Sequence, residues 1–237
     1  MASIGAMRKA KLFLFDIDGT LLTTARAGEH ALRLGFRERF GVDDDLSAIS
    51  FAGSTDSAIA RQMFAAHGIP PTPENIADLL DGYVHHLARE LPRREGAVLP
   101  GILDLLRALK LRPDCVLGLL TGNIERGARL KLSHYGVWDF FEFGAYADDH
   151  TDRNKLGPVA RARAAEKRGI SFEAEDIFVI GDTPKDIGCA RAAGFVAVAI
   201  ATGKYTREEL AAHRPDHVFE DLSDTGAVLE ALLGDGA

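Results

Sequence analysis

Four short apolar segments most restrict what this chain can fold into. They cover residues 11–15, 115–120, 177–180 and 195–200, and none shows the regular polar and apolar alternation of a half-exposed strand. Runs of this kind are typical of strands that are buried on both faces of a parallel sheet. The sequence therefore predicts four core strands.

Amphipathic helical patterns lie between these segments. In the clearest one, apolar residues recur at i, i+3, i+4 and i+7 from Ile102 to Leu109, so they share one helix face. Helices also fit three further ranges: 156–168, 184–192 and 222–233. Strands that alternate with such helices connect by right-handed crossovers. The predicted fold class is α/β, with a doubly wound (Rossmann-like) parallel sheet.

The stretch from residue 23 to residue 98 breaks this alternation, because it holds helical patterns and no convincing strand. An all-helical block between the first strand and the rest of the sheet is best explained as an inserted cap. We therefore predict a Rossmann-like core domain of residues 1–22 and 99–237 and a helical cap domain of residues 23–98.

Composition limits the possible partners. A net charge of −7 would repel nucleic-acid phosphates, so we expect no nucleic-acid partner. The apolar run at residues 12–15 is too short for a signal peptide or a membrane span, so we expect no membrane partner and a cytoplasmic protein. Cys115 and Cys189 lack the spacing of a zinc site or a redox pair. Residues 1–6 are expected to be a short lead-in before the first strand.

Carboxylates and small polar residues follow three of the predicted strands. The segments are DIDGT at residues 16–20, TGN at residues 121–123 and GDTPKD at residues 181–186. In open parallel sheets the carboxyl ends of the strands form the ligand site, so these segments should meet. Clustered carboxylates repel one another unless a cation joins them, and hard oxygen ligands suit Mg²⁺. Such a site favours phosphoryl transfer over acyl transfer.

These segments resemble the haloacid dehalogenase-like hydrolase superfamily. The Asp-Ile-Asp-Gly-Thr run at residues 16–20 matches its signature after an apolar strand. Thr121, Lys155 and the pair Asp182 and Asp186 match the other three motifs in the family's order. The resemblance extends from residue 12 to about residue 192, and the overall plan is similar to that of phosphoglycolate phosphatases with a helical cap.

The resemblance implies a role for each matching residue. Asp16 would be the nucleophile that is phosphorylated, while Asp18 would protonate the leaving alcohol and then activate water; Thr121 and Lys155 would complete the catalytic set. The implied phosphate site consists of Asp16, Ile17, Asp18, Gly19, Thr121, Gly122 and Lys155. The implied Mg²⁺ ligands are Asp16, the carbonyl of Asp18, Asp182 and, in support, Asp186.

The lysine motif is the least regular of the four. Many members read Lys-Pro-x-Pro, whereas residues 155–158 read Lys-Leu-Gly-Pro. Arg153, two residues before Lys155, is an alternative cation for the same position.

The resemblance implies a Mg²⁺-dependent phosphatase of small phosphate monoesters that works through an aspartyl phosphate, with a small phosphorylated metabolite as partner. Residues 23–98 contain no lysine, which argues against the phosphonate hydrolases of the family, since these use a lysine of the cap. Two alternatives stay open: a phosphotransferase like beta-phosphoglucomutase, and a non-catalytic member that binds a phosphorylated ligand. The exact substrate and the oligomeric state, monomer or homodimer, stay open too.

Overall fold

The structure, a computed structural model, describes residues 9–234, so the expected lead-in at residues 1–6 lies outside the described part. In chain order its strands are β1 (Lys11–Phe15), β2 (Leu22–Thr23), β3 (Ala97–Val98), β4 (Cys115–Leu120), β5 (Gly144–Ala145), β6 (Ile177–Gly181), β7 (Val196–Ile200) and β8 (His217–Phe219). Its α-helices are α1 (Ala27–Phe40), α2 (Asp56–Ala66), α3 (Pro73–Glu90), α4 (Ile102–Lys110), α5 (Glu125–His134), α6 (Leu156–Arg168), α7 (Pro184–Ala193), α8 (Arg207–Ala212) and α9 (Thr225–Leu233).

Six of these strands form one parallel sheet in the order β5-β4-β1-β6-β7-β8. The doubly wound fold and the four predicted strands are confirmed. The sequence analysis missed β5 and β8, because strands of two and three residues are too short to show a periodic pattern.

Alternate residues of β1 point to opposite faces of the sheet, as the pleat of a strand requires. Phe13 and Phe15 pack into an apolar cluster with α4, α5 and α9. Leu12 and Leu14 pack into a second cluster with α6, α7 and α8. Because both faces of β1 are buried, its sequence is continuously apolar from Leu12 to Phe15.

The three helices α1, α2 and α3 lie between β1 and β4 in the chain, and their apolar stripes form a third cluster that includes Phe36, Met63 and Tyr83. The two connections between this helical region and the sheet run side by side, because β2 and β3 pair as an antiparallel ribbon, with Leu22 opposite Val98. The division into a core domain of residues 1–22 and 99–237 and a cap domain of residues 23–98 stays a prediction, and its two boundaries fall at or beside this ribbon.

None of the helices within residues 9–234 is long and apolar enough to span a membrane.

Candidate active site

The candidate site lies at the carboxyl ends of β1, β4 and β6, the three central strands of the sheet. The chain runs outward from β1 to β4 and β5, and then returns to the other side of β1 with β6. A crevice opens where the strand order reverses, and open α/β sheets bind their ligands in this crevice. The three polar segments identified in the sequence follow these three strands.

Asp16 is the first residue after β1, and its side chain is buried. Its amide donates to the carbonyl of Ile180 on β6 at 3.0 Å, so the backbone is still held to the sheet at this point. Burial raises the pKa of Asp16 to about 6. The positive charge of Arg153 lowers this pKa, and the negative charge of Asp186 raises it. At neutral pH such a group is mostly a carboxylate, which can act as a nucleophile.

The segment after β6 brings two further carboxylates to Asp16. Burial raises the pKa of Asp182 to about 8, and the charges of Asp186 and Asp16 add to this rise. Asp186 closes a capping box at the start of α7, because its Oδ2 accepts from the amide of Thr183 at 3.0 Å and from the Thr183 hydroxyl at 2.6 Å.

These carboxylates fit a divalent metal ion. One oxygen each from Asp16, Asp182 and Asp186 lies within 4.8 Å of the others, and all three residues are buried. The raised pKa values of Asp16 and Asp182 show that this charge is poorly compensated by the protein alone. Hard carboxylate oxygens are the ligands that Mg²⁺ takes in proteins.

Arg153, and not Lys155, reaches the nucleophile position. Its Nη2 lies 3.0 Å from Asp16 Oδ1, and it also pairs with Asp186 Oδ1. Both residues belong to one turn of 3₁₀ helix, Arg153–Lys155. Since residues two apart in such a turn point in different directions, Arg153 is buried and Lys155 is exposed to solvent. The structure therefore brings Arg153, the alternative cation, to Asp16 and leaves the predicted Lys155 outside the cluster.

Asp18 turns its carboxylate away from the three clustered carboxylates. Its Oδ2 lies 2.5 Å from Lys131 Nζ and accepts from Asn123 Nδ2 at 2.9 Å. Asn123 Nδ2 also donates to Thr121 Oγ1 at 3.0 Å. Asp18 is thus linked to the end of β4 and to α5.

The loop after β1 offers some of the predicted phosphate donors but not all of them. Within the described residues, the amides of Ile17, Asp18 and Gly122 have no protein acceptor. The amide of Gly19, also predicted as a phosphate donor, already donates to the carbonyl of Leu22 at 2.9 Å. Gly19 instead allows close approach: its φ is +82°, and a Cβ there would lie 2.5 Å from Asp182 Oδ2.

A loop before α2 closes the cap onto the site. The amide of Asp56 donates to the carbonyl of Gly122 at 2.7 Å, and Asp56 Oδ2 accepts from the amide of Ile124 at 2.8 Å. Thr55 is the N-cap of α2, since its hydroxyl accepts from the amide of Ala58. A cavity of about 490 Å³ remains between cap and core. Its wall includes Asp16, Asp18, Lys131, Arg153 and Asp182 from the core, and Gly28, Leu32, Phe51 and Tyr83 from the cap.

Two buried charged residues of the site were not predicted as functional. Lys131 lies on α5 beside the buried residues Gly127, Ala128 and Leu132. A lysine within the apolar stripe of a helix is unusual and could have been noticed in the sequence. Asp56 gave no comparable signal, because an acidic residue in the first turn of a helix is common.

The comparisons with known proteins agree with this geometry. A sequence profile of the family described as haloacid dehalogenase-like hydrolase matches residues 13–200. The phosphoglycolate phosphatase of Rhodospirillum rubrum is 29% identical over 228 residues, which cover 91% of this chain and 89% of that protein. The phosphoglycolate phosphatase of Synechococcus elongatus is 26% identical, with 93% of this chain and 97% of that protein covered.

A solved structure shares the fold. CbbY from Rhodobacter sphaeroides, crystallised in complex with phosphate, matches with a TM-score of 0.71 and 21% identity, over 92% of this chain and 96% of that one. The profile match covers most of the chain, including the ends of β1, β4 and β6 where the buried carboxylates meet. The chain therefore belongs to the haloacid dehalogenase-like hydrolase family.

Proposed function

We propose that this protein is a Mg²⁺-dependent phosphatase of small phosphate monoesters that works through a phosphorylated Asp16. The proposal rests mainly on the position of Asp16 and on the charged residues that surround it. A buried carboxylate at the switch point of the sheet lies 3.0 Å from a buried arginine and beside two further buried carboxylates.

The broader activity is that of a phosphoric monoester hydrolase, and the family match and the relatives named as phosphatases support it. Phosphoryl transfer requires a positioned nucleophile and compensation of the charge on the phosphoryl oxygens. The site contains both a fixed carboxylate and donors arranged around it.

The proposed reaction has two steps. In the first, an oxygen of Asp16 bonds to phosphorus while the bond from phosphorus to the alcohol oxygen breaks, and Asp18 gives a proton to that oxygen. In the second, Asp18 takes a proton from water, the water oxygen bonds to phosphorus, and the bond to Asp16 breaks to release phosphate. Arg153 holds Asp16 in place through its ion pair during both steps.

The phosphoryl oxygens would be bound by the hydroxyl of Thr121 and by the amides of Ile17, Asp18 and Gly122. Arg153 adds a positive charge beside them, in the role first assigned to Lys155. Aligned donors of this kind typically contribute about a hundredfold or more each to the rate of a reaction that develops negative charge.

The metal would be held by Asp16, Asp182 and Asp186, together with the carbonyl of Asp18. When bound, Mg²⁺ would compensate negative charge on the phosphoryl group. The protein's own part is to hold these oxygens close together, which it does by burying them and by fixing Asp186 in the capping box of α7.

The substrate is proposed to be a small phosphorylated metabolite, because the cavity of about 490 Å³ is in the size range of small-molecule sites. The phosphoglycolate phosphatases among the relatives make 2-phosphoglycolate the first compound to test. A cytoplasmic location is proposed on the same basis, since such metabolites are found there.

The test is phosphate release from a panel of metabolite monophosphates and p-nitrophenyl phosphate, with Mg²⁺, for the wild type, Asp16→Asn and Asp104→Asn. Asp104 is an exposed carboxylate on α4 and serves as the control. We expect turnover by the wild type and Asp104→Asn, and none by Asp16→Asn. Turnover by Asp16→Asn would overturn the mechanism. Binding of phosphorylated compounds without phosphate release, or movement of the phosphoryl group within a sugar, would favour the alternatives over a phosphatase.

A further inference from the structure

Lys131 is a buried lysine that faces the reaction site from the inner side of α5. Its side chain is only 5% exposed, and it lines the cavity. Although burial by itself would lower the pKa of Lys131, the neighbouring carboxylate of Asp18 raises the pKa above its ordinary value. The mechanism above gives Lys131 no role.

The ammonium of Lys131 anchors one oxygen of Asp18. Nζ lies 2.5 Å from Asp18 Oδ2 and 2.6 Å from Asn123 Oδ1. Asn123 in turn donates to the same Asp18 Oδ2 at 2.9 Å. These three side chains form a closed triangle, so the carboxylate of Asp18 is held in one orientation by two donors that also fix each other.

The other oxygen of Asp18 is left for the substrate. The Asp18 side chain is 41% exposed and lines the same cavity as Asp16. Proton transfer requires a heavy-atom distance of about 2.6–3.2 Å, and Asp18 stands on a loop beyond the end of β1. A carboxylate on a loop needs an anchor if its free oxygen is to stay at such a distance.

The cap covers Lys131 from the other side. A Cβ at Gly28 of α1 would lie 3.4 Å from Lys131 Nζ and 3.7 Å from the hydroxyl oxygen of Tyr83 on α3. The Tyr83 hydroxyl, the ammonium and the backbone of Gly28 are therefore adjacent. Both cap residues restrict the space into which the lysine side chain could move.

We infer that Lys131 is a positioning residue, which holds Asp18 in the orientation for proton transfer to and from the phosphate ester. This inference rests on the proposed function, because it assigns Asp18 the proton-transfer role. It predicts that loss of Lys131 will act through Asp18 and will depend on how much the leaving group needs a proton.

The experiment compares wild type, Lys131→Met, Asp18→Asn and the double variant on 2-phosphoglycolate and p-nitrophenyl phosphate. The alcohol of 2-phosphoglycolate needs a proton to leave, whereas p-nitrophenolate leaves without one. Since hydrolysis of the phosphorylated Asp16 uses Asp18 with either ester, the comparison uses the single-turnover rate of alcohol or phenolate release, which reports the first step alone. For Lys131→Met we expect this rate to fall about 100-fold with 2-phosphoglycolate and less than about tenfold with p-nitrophenyl phosphate. In the Asp18→Asn background, Lys131→Met should lower the rate with 2-phosphoglycolate by less than about a further twofold.

The matched control is Arg129→Met, which removes a cation from the exposed side of the same helix and should leave kcat within about twofold. A cooperative melting transition checks that each variant folds. If Lys131→Met does not fold, Lys131→Gln, which also removes the ammonium but keeps a polar side chain, carries the same test.

Three results would overturn the positioning role: an unchanged single-turnover rate in Lys131→Met with 2-phosphoglycolate, equal losses of the single-turnover rate with the two esters, or an equal loss in the Asp18→Asn background. The last would mean that Lys131 acts on the substrate directly. A wild type that hydrolyses neither these esters nor any other in the panel would instead overturn the proposed function and, with it, this role.

Discussion

Arg153 Nη2 lies 3.0 Å from Asp16 Oδ1 and pairs with Asp186 Oδ1 through the same nitrogen. One guanidinium therefore joins the loop after β1 to the start of α7. Both carboxylates and the arginine are buried, and breaking a buried ion pair by removing one partner leaves the other charge uncompensated.

Arg153→Met should lower kcat/KM for phosphate release by about 100-fold or more, because Asp16 and the phosphoryl group lose their neighbouring cation. It should also destabilise the metal-free protein by about 3 kcal/mol or more. Lys155→Met is the matched control, since Lys155 is exposed two residues away, and it should change stability by less than about 0.5 kcal/mol. Steady-state kinetics and urea unfolding check both values. A larger kinetic loss in Lys155→Met than in Arg153→Met would restore the assignment made from the sequence.

On the proposed function, Mg²⁺ should stabilise the folded protein, because only the folded chain holds the three buried carboxylates close together. At a free Mg²⁺ concentration of about 100 times Kd the expected gain is about 2.7 kcal/mol, and Tm should rise with concentration. Asp182→Asn should lose most of this shift, while Asp104→Asn on the exposed surface should keep it. Thermal unfolding with Mg²⁺ or with EDTA measures the effect without any substrate. Equal shifts in the two variants would contradict the proposed metal site.

Asp56 should make stability fall as pH rises. Burial raises the pKa of Asp56 to about 7, opposed by the charge of Lys131 and the hydrogen bond from Ile124. The folded protein therefore keeps a proton on Asp56 that the unfolded chain, in which the carboxyl has its ordinary pKa of 3.8, has already lost. Asp56 makes its full contribution to the free energy of unfolding below about pH 4. This contribution is lost between about pH 4 and pH 7, at up to about 1.4 kcal/mol per pH unit.

The check is urea unfolding of wild type and Asp56→Asn between pH 4.5 and pH 8 without Mg²⁺. An asparagine oxygen can still accept from the amide of Ile124, so the variant should become the more stable of the two as pH rises. Parallel stability curves for the two proteins would show that Asp56 is ionised in the folded state throughout.

Gly122→Ala should weaken the closure of the cap. A Cβ at Gly122 would lie 2.2 Å from the carbonyl oxygen of Ser54 in the cap loop, so one of the two backbones must move. We expect kcat/KM to fall about tenfold or more, with faster hydrogen exchange in the loop before α2. Gly188→Ala on α7 is the control, because its nearest neighbour would be 3.9 Å away, and it should be neutral or stabilising by about 0.5–1 kcal/mol. Unchanged exchange and activity in Gly122→Ala would mean that the loop does not seal the site.

From the sequence, only those residues of the candidate site that directly follow a predicted strand could be placed. Asp16 and Thr121 each directly follow a long apolar strand, so the position of each at the sheet edge could be deduced without knowing any contact. The same reasoning predicted the confirmed doubly wound fold. The strands β5 and β8 were not predicted, because two or three residues are too few to show a periodic pattern of apolar side chains.

Features that depend on local turns or distant contacts were not predictable in this way. The choice between Arg153 and Lys155 depends on a single turn of 3₁₀ helix, whose direction no hydrophobic pattern reports. The partnership of Lys131 with Asp18 joins residues far apart in the chain, on α5 and on the loop after β1. It appears only once the sheet has brought those elements together.

The antiparallel ribbon of β2 and β3 also matters for how the chain folds. Leu12 on β1 must find Val116 on β4, and the whole cap separates them in sequence. Closing such a long loop costs entropy and slows folding. The pairing of Leu22 with Val98 removes the cap from this loop, so that only the turn after β1 and the segment that contains α4 remain between the two strands. If the cap helices collapse first around their own apolar cluster, the ribbon makes the rest of the sheet fold almost as though the cap were absent.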